Sequence, residues 1–152
     1  MFGTNSWTIE MWAYITSYNA NGALVEVNQR NGNAYAALMF VYGTSRVLYS
    51  SDNGGSWNRF NGTGIGITSI TSQWAHYCVC MEYPMFRIFQ NGNLTYSYQM
   101  SSPFAIPISG LTYIGARGST SISNGHSLNM QDIRFSSCAR YTANFTPPTR
   151  FI

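Results

Sequence analysis

The acidic residues are the first test of whether this chain carries hydrolytic chemistry. Glycan hydrolases of the common type place two carboxylates on either side of the bond that they cleave. The chain has five acidic residues, and they lie far apart, at Glu10, Glu26, Asp52, Glu82 and Asp132. They form no cluster on one strand face, and no Ser-His-Asp or Cys-His arrangement follows from spacing. We therefore expect no catalytic residue and no enzymatic activity.

The sulfur and imidazole side chains do not have the spacing of a metal site. Structural zinc sites use four ligands, commonly in CxxC-like pairs, whereas Cys78 and Cys80 lie two residues apart and Cys138 is remote. Residues at i and i+2 share one face of a strand, which favours buried free thiols over a disulfide. His76 could act as an acid, a base or a ligand, and its position in the sequence alone leaves this open. We expect no metal and no cofactor.

Composition and charge exclude further classes of protein. Charged residues make up 9% of the chain, and the net charge is +3. All eight cations are arginines scattered singly, whereas phosphate-binding surfaces need clusters, so we expect no nucleic-acid partner. No apolar run approaches the roughly 20 residues that span a bilayer. The start of the chain has no secretory signal pattern, which predicts folding in the cytoplasm.

The elements that must position any site are strands. Six Asn-Gly pairs separate segments rich in Val, Ile, Tyr, Phe, Trp and Thr, and Asn-Gly is typical of type I′ hairpin turns. The segment 7–15 alternates, so we expect Trp7, Ile9, Met11, Ala13 and Ile15 on one face. Further strands are predicted near residues 23–28, 34–42, 45–51, 64–70, 74–82, 85–90, 93–99, 111–115 and 128–135. This pattern predicts an all-β, two-sheet antiparallel sandwich.

Several of these segments resemble the laminin-G-like branch of the concanavalin A-like jelly rolls. They are WTIEMW at 7–12, QWAHYCV at 73–79, FRIFQNG at 86–92, YIG at 113–115 and MQDIRF at 130–135. The resemblance implies a jelly-roll sandwich, in which His76 has a structural strand position as a half-buried histidine with satisfied hydrogen bonds. Some relatives bind Ca²⁺ through loop oxygens, and Asp132 is the best single candidate, although pairing with Arg134 or Arg140 or bonding to the backbone is the favoured interpretation.

The segment ARYTANFTPP at 139–148 resembles the end of laminin-G-like domains in bacteriophage particle proteins. Because Pro147 and Pro148 restrict the backbone, we expect a β-sandwich domain at 1–138 and an ordered C-terminal strap at 139–152 packed on the same domain. The resemblance implies a non-enzymatic virion structural protein, a capsid decoration or cement protein on the virion surface. Its expected partners are the major capsid protein or neighbouring copies in a homo-oligomer. The alternative is a carbohydrate-binding, lectin-like receptor-recognition module of a phage fibre or tail, with a glycan as ligand.

Two regions carry the candidate contacts to a ligand or partner. The Gly- and Ser-rich loop near 114–127 offers Arg117, Asn124 and His126, although a simple solvated loop remains the favoured interpretation. The strap offers the side chains of Arg140, Tyr141 and Phe145, which we expect to anchor it on the sandwich. The segment 50–57 matches the Asp-box pattern S-x-D-x-G-x-x-W, which predicts a structural hairpin turn.

Overall fold

The computed structural model describes residues 5–29, 38–42, 46–49, 60–62, 65–101, 103, 110–117 and 124–150. These residues form twelve strands and no helix, so none of them lies in a helix able to cross a membrane. The strands are β1 (Ser6–Ser17), β2 (Val25–Gln29), β3 (Leu38–Tyr42), β4 (Arg46–Tyr49), β5 (Phe60–Gly62), β6 (Trp74–Glu82), β7 (Met85–Gln90), β8 (Asn93–Gln99), β9 (Leu111–Ile114), β10 (Ala116–Arg117), β11 (Asn124–Gly125) and β12 (Ser127–Ser136).

The strands are organised in two large sheets and one small one. The first large sheet has the order β12-β1-β6-β7-β8, the second has the order β5-β4-β3-β2-β9, and β10 pairs with β11. The ladders from β1 to β8 and from β5 to β9 are antiparallel. The chain divides into two compact units, and each unit is built around one large sheet.

Strict alternation in β1 builds the buried face of the first unit. Trp7, Ile9, Met11, Ala13 and Ile15 are all buried, as the period-2 pattern of a strand predicts. They share this face with buried residues of β6 and β7, namely Ala75, Tyr77, Val79, Met81, Phe86 and Ile88. In the second unit the buried apolar residues are Ala23, Leu24, Val25, Val27, Leu38, Phe40, Val41, Ile65 and Ile67.

The structure confirms some of the turns predicted at Asn-Gly pairs and contradicts others. Asn91 and Gly92 have φ of 51° and 77°, and they join β7 to β8 as the predicted type I′ hairpin. The pair at 21–22 lies in a turn, but the pairs at 61–62 and 124–125 lie inside β5 and β11, so those two predictions of turns are wrong. The pairs at 31–32 and 53–54, and the Asp-box at 50–57, lie outside the described residues.

Most predicted strands are found, with shifted ends. The strands at 74–82, 85–90 and 93–99 match β6, β7 and β8. The strand expected at 64–70 is wrong, because residues 65–70 are not in a strand and the pairing partner of β4 is β5. Of the strand predicted at 34–42, residues 38–42 form β3, and residues 34–37 lie outside the described part.

Two residues that the sequence predicts in the core are exposed. Alternation within the proposed strands predicts one core that includes Ile9, Met11, Trp74, Val79, Ile88, Ile114 and Ile133. The prediction of burial is confirmed for Ile9, Met11, Val79 and Ile88, and Trp74 is partly buried. Two further residues, Ile114 in β9 and Ile133 in β12, are 48% and 36% exposed. Both strands lie at the end of their sheet. Alternation determines which face an apolar side chain is on, but not whether that face is covered at the edge of the sheet.

Candidate functional site

The C-terminal strap, residues 139–150, follows alternate residues of β1. Ala139 donates its backbone N–H to Ser6 Oγ at 2.6 Å, and Arg140 donates its own to Thr8 Oγ1 at 3.0 Å. Thr8 Oγ1 donates in turn to the carbonyl oxygen of Cys138 at 2.8 Å. Further along, Trp12 Nε1 donates to the carbonyl oxygen of Pro148 at 3.0 Å. The polar face of β1, at positions 6, 8, 10 and 12, is therefore a docking track for the strap.

The middle of the strap is fixed to the β7–β8 hairpin. Phe145 donates its backbone N–H to the carbonyl oxygen of Gly92 at 2.9 Å, and Leu94 donates its backbone N–H to Asn144 Oδ1 at 2.8 Å. A side chain at Gly92 would place its Cβ within 1.9 Å of the carbonyl oxygen of Phe145. Glycine is thus needed here both for its positive φ and for the close approach of the strap.

An aromatic cluster supports these hydrogen bonds. The rings of Tyr141 and Phe145 are stacked, with centroids 3.5 Å apart and planes 4° apart. Phe145 meets the rings of Phe89 and His76 edge to face, at 5.3 Å and 5.7 Å. Tyr141 and Phe145, with Ala139, pack on the buried residues Cys78, Cys80 and Phe89. The strap therefore removes apolar surface of β6 and β7 from water.

Glu10 is the polar centre of the contact between the strap and the sheet. Its side chain is 2% exposed. Glu10 Oε2 accepts a hydrogen bond from the hydroxyl of Tyr141 at 2.9 Å and lies 3.3 Å from His76 Nε2. Glu10 Oε1 lies 2.7 Å from Arg140 Nε and 3.6 Å from Arg134 Nη1. Oε2 thus accepts a hydrogen bond, whereas Oε1 is balanced by the charges of Arg140 and Arg134 and has no hydrogen bond of good geometry within the described residues.

These neighbours keep Glu10 ionised despite its burial. Burial alone would raise the pKa of Glu10, since it penalises the charged form. The hydrogen bonds from His76 and Tyr141 and the charge of Arg140 outweigh it, and the pKa is lowered below its ordinary value of 4.5. Burial also raises the pKa of Tyr141, so its phenol keeps the proton that it donates. The cluster is a buried carboxylate with donors from β6, β12 and the strap.

Three predictions about these side chains need correction or comment. His76 is fully buried rather than half-buried, and its Nδ1 has no hydrogen-bond partner within the described residues. Arg134 and Arg140 both pair with Glu10, a partner that the sequence did not suggest. Asp132 has a φ of 51° within β12, and within the described ranges no group of three or more His, Cys, Asp or Glu side chains could hold a metal ion.

The cysteines differ in their surroundings. All three thiols are free. Cys78 and Cys80 are buried, as their spacing predicts, whereas Cys138 is exposed. Cys80 Sγ lies 3.2 Å from Thr8 Oγ1, whose single proton is already donated to the carbonyl oxygen of Cys138, so the thiol is the donor of this contact. Burial, the neighbouring Cys80 and the charge of Glu10 raise the pKa of Cys78, which makes it an unreactive thiol.

His126, from the predicted contact loop near 114–127, is buried inside the second unit. His126 Nδ1 accepts a hydrogen bond from the backbone N–H of Asn19 at 3.1 Å, and Nε2 lies 3.1 Å from the carbonyl oxygen of Val41. The ring is therefore the tautomer with its proton on Nε2, and burial lowers its pKa. His126 has no nitrogen to offer a ligand unless one of these bonds breaks, so its role is structural.

The other candidate residues fall into two groups. Arg117 and Asn124 face each other in the β10–β11 ladder, while their side chains and residues 118–123 lie outside the described part of the chain. Arg140, Tyr141 and Phe145 are brought together on the first sheet, but they bind that sheet through the contacts above. Sequence reasoning missed Glu10. The feature of the sequence that could have pointed to Glu10 is a single acidic residue on the polar face of an otherwise apolar strand. The tail of the same chain carries an Arg-Tyr pair that could meet it.

Apolar side chains are exposed at the β12 end of the first sheet. Ile133 and Phe135 are 36% and 39% exposed. Arg134, between them, reaches Glu10 on the strap side, so Ile133 and Phe135 lie on the opposite face. End strands with exposed apolar side chains are typical sites of pairing with another chain.

Comparison with known proteins agrees with this architecture. A laminin G family model, described as the concanavalin A-like lectin/glucanases superfamily, matches residues 1–143. The chain belongs to this superfamily. The predicted fold class, an all-β, two-sheet antiparallel jelly-roll sandwich, is confirmed by that match and by the two antiparallel sheets. A sequence search of curated proteins finds no match for this superfamily member.

Two solved structures with TM-scores above 0.5 share the fold at low sequence identity. A mutant of Trypanosoma rangeli sialidase displaying trans-sialidase activity matches with a TM-score of 0.61 and 10% identity, over 91% of this chain and 22% of that one. A receptor binding domain matches with a TM-score of 0.53 and 13% identity, over 89% and 32%. An alginate lyase from Corynebacterium sp. has a TM-score of 0.43 and 13% identity, over 86% and 58%. This chain thus spans less than a third of the first two proteins, and the likeness concerns the fold alone.

Proposed function

We propose that this jelly-roll domain is a non-enzymatic structural protein of a virus particle, which decorates the capsid surface and binds the major capsid protein or neighbouring copies of itself. The observation that carries the protein-binding part is the exposed pair Ile133 and Phe135 on the end strand β12. The resemblance of residues 139–148 to the ends of phage particle proteins supports the viral part.

The state of Glu10 supports the non-enzymatic part of the proposal. Glu10, His76 and Tyr141 have the side-chain types of an acid–base site, but a general acid or base must reach its substrate. The strap closes over Glu10, and its two oxygens are held by Arg140 and Tyr141. Glu82 is exposed and lies 3.4 Å from Arg87. A sealed carboxylate with a structural partner on each oxygen stabilises the strap instead of performing catalysis.

The test is to locate the protein in purified particles and then to change β12. We expect density for the domain on the head in a low-resolution particle map, and strong loss of incorporation for Ile133→Asn combined with Phe135→Asn. The matched control is Tyr98→Asn, since Tyr98 is similarly exposed, at 38%, on the opposite end strand β8. Particles that lack the protein, or that incorporate the double variant normally, would contradict the proposal.

A second candidate function is carbohydrate binding, which the superfamily description and one aromatic pair favour. The partly buried rings of Tyr14 and Trp74 lie 5.8 Å apart, edge to face, and aromatic rings of this kind pack on sugars. The guanidinium of Arg150 lies 4.4 Å from the Trp74 ring centroid, so a sugar would displace it. A glycan array distinguishes the two functions. Reproducible binding to a glycan that is lost in Trp74→Ala would favour the lectin function. If no glycan on the array binds, the structural function is favoured.

A further inference from the structure

Besides its hydrogen bonds and ring contacts, the strap is attached to its sheet through one buried carboxylate, that of Glu10. Of the four side chains that meet the carboxylate of Glu10, two belong to the strap, Arg140 and Tyr141. The others, His76 of β6 and Arg134 of β12, belong to the sheet. The carboxylate of Glu10 therefore links the strap, β6 and β12, and its negative charge balances the positive charges of Arg134 and Arg140.

We propose that Glu10 is an acid-operated latch, whose protonation releases the strap from the first sheet while the sheet itself stays folded. The released strap uncovers the docking track on β1 and the apolar cluster of Cys78, Cys80 and Phe89. This pH-dependent latch goes beyond the proposed capsid role. It makes exposure of the surface beneath the strap depend on pH, whichever partner the domain binds.

The charges around Glu10 set the direction of the switch. Arg134 and Arg140 stay positive at every pH of interest, and Cys78 and Tyr141 are neutral in acid, since the pKa of each is raised. A proton on Glu10 removes the only negative charge of the cluster. Because the pKa of Glu10 is lowered by folding, its stabilising effect is present above pH 4.5 and is lost as pH falls through the folded pKa.

The sheet has its own sources of stability, which do not depend on this charge. The ladders of β1 with β6 and of β6 with β7 hold it together. So do the buried apolar side chains on its other face, among them Trp7, Ile9 and Met11. The strap, in contrast, forms no ladder with the sheet along residues 139–150 in the described structure. Loss of the latch should consequently open the strap before the sheet unfolds.

Three backbone amides of the strap report directly on its attachment. Those of Ala139, Arg140 and Phe145 donate to Ser6, Thr8 and Gly92. Their hydrogen exchange in the full chain, corrected for the intrinsic rate at each pH, measures opening of the strap. Amides of β6 and β7 measure opening of the sheet. In the wild-type protein we expect the strap amides to lose protection by about tenfold or more as pH falls below 4.5, while the sheet amides keep theirs.

Two substitutions in the full chain complete the test. Glu10→Gln should lower the protection of the strap amides by about tenfold or more at neutral pH and remove its pH dependence. Glu82→Gln, which changes an exposed carboxylate paired with Arg87, should leave the wild-type profile unchanged. If Glu10→Gln does not fold, the titration of the wild-type chain alone decides. The proposal is overturned if the strap and sheet amides open together, if the strap stays protected at a pH where NMR of the Glu10 carboxyl group shows it protonated, or if Glu10→Gln keeps the wild-type profile.

Discussion

Removing one ring from the strap tests whether the strap stabilises the domain. In Phe145→Ala, the lost side chain is partly buried and contacts the rings of Tyr141, Phe89 and His76. Truncation of a fully buried Phe costs about 3–5 kcal/mol. Because part of the Phe145 ring faces water, we expect Phe145→Ala to lower the free energy of unfolding by about 2 kcal/mol. For a chain of this length, that corresponds to a fall in Tm of about 4–8 °C.

The measurement is urea unfolding followed by tryptophan fluorescence, with thermal unfolding as a second probe. The matched control is Phe135→Ala, which removes the same ring from the end strand β12, where Phe135 is 39% exposed. We expect the control to cost less than about 1 kcal/mol. If the two variants have the same free energy of unfolding, or if Phe145→Ala is within about 0.5 kcal/mol of the wild-type protein, the strap does not contribute to stability and the reasoning fails.

Three further predictions concern the core, the hairpin turn and metal ions. Ile9→Ala should lower the free energy of unfolding, measured with denaturant, by about 2–5 kcal/mol, because the side chain is fully buried. Ile133→Ala should cost less than about 1 kcal/mol, because Ile133 is 36% exposed. Equal costs for the two variants would show that Ile133 is covered. Gly92→Ala should lower the free energy of unfolding by more than about 1 kcal/mol, since alanine is strained at a φ of 77° and its Cβ would collide with Phe145. The hydrogen-exchange rate of the Phe145 amide should increase in the same variant. Addition of EDTA should leave Tm unchanged in a thermal shift assay, and a fall restored by Ca²⁺ would reveal a metal site at Asp132 or elsewhere.

Local sequence patterns were sufficient to predict the strands of the first sheet. The alternation from Trp7 to Ile15 shows which side chains of β1 are buried, and Asn91-Gly92 specifies the turn between β7 and β8. These features depend on neighbours within a few residues, so a single sequence contains their physical cause. The pairs at 61–62 and 124–125 show the limit, since Asn-Gly permits a turn but does not require one.

What the sequence could not determine are contacts between residues far apart in the chain. Glu10 meets Arg140 and Tyr141 across about 130 residues, and no local pattern states that the polar face of β1 will be covered by the tail. His126 becomes structural only because the turn at 19–22 and the carbonyl of Val41 close on its ring. The sequence by itself determined where strands form and which face of each is apolar. The tertiary structure decided which faces are covered, because coverage depends on the order of strands in the sheet and on the path of the strap.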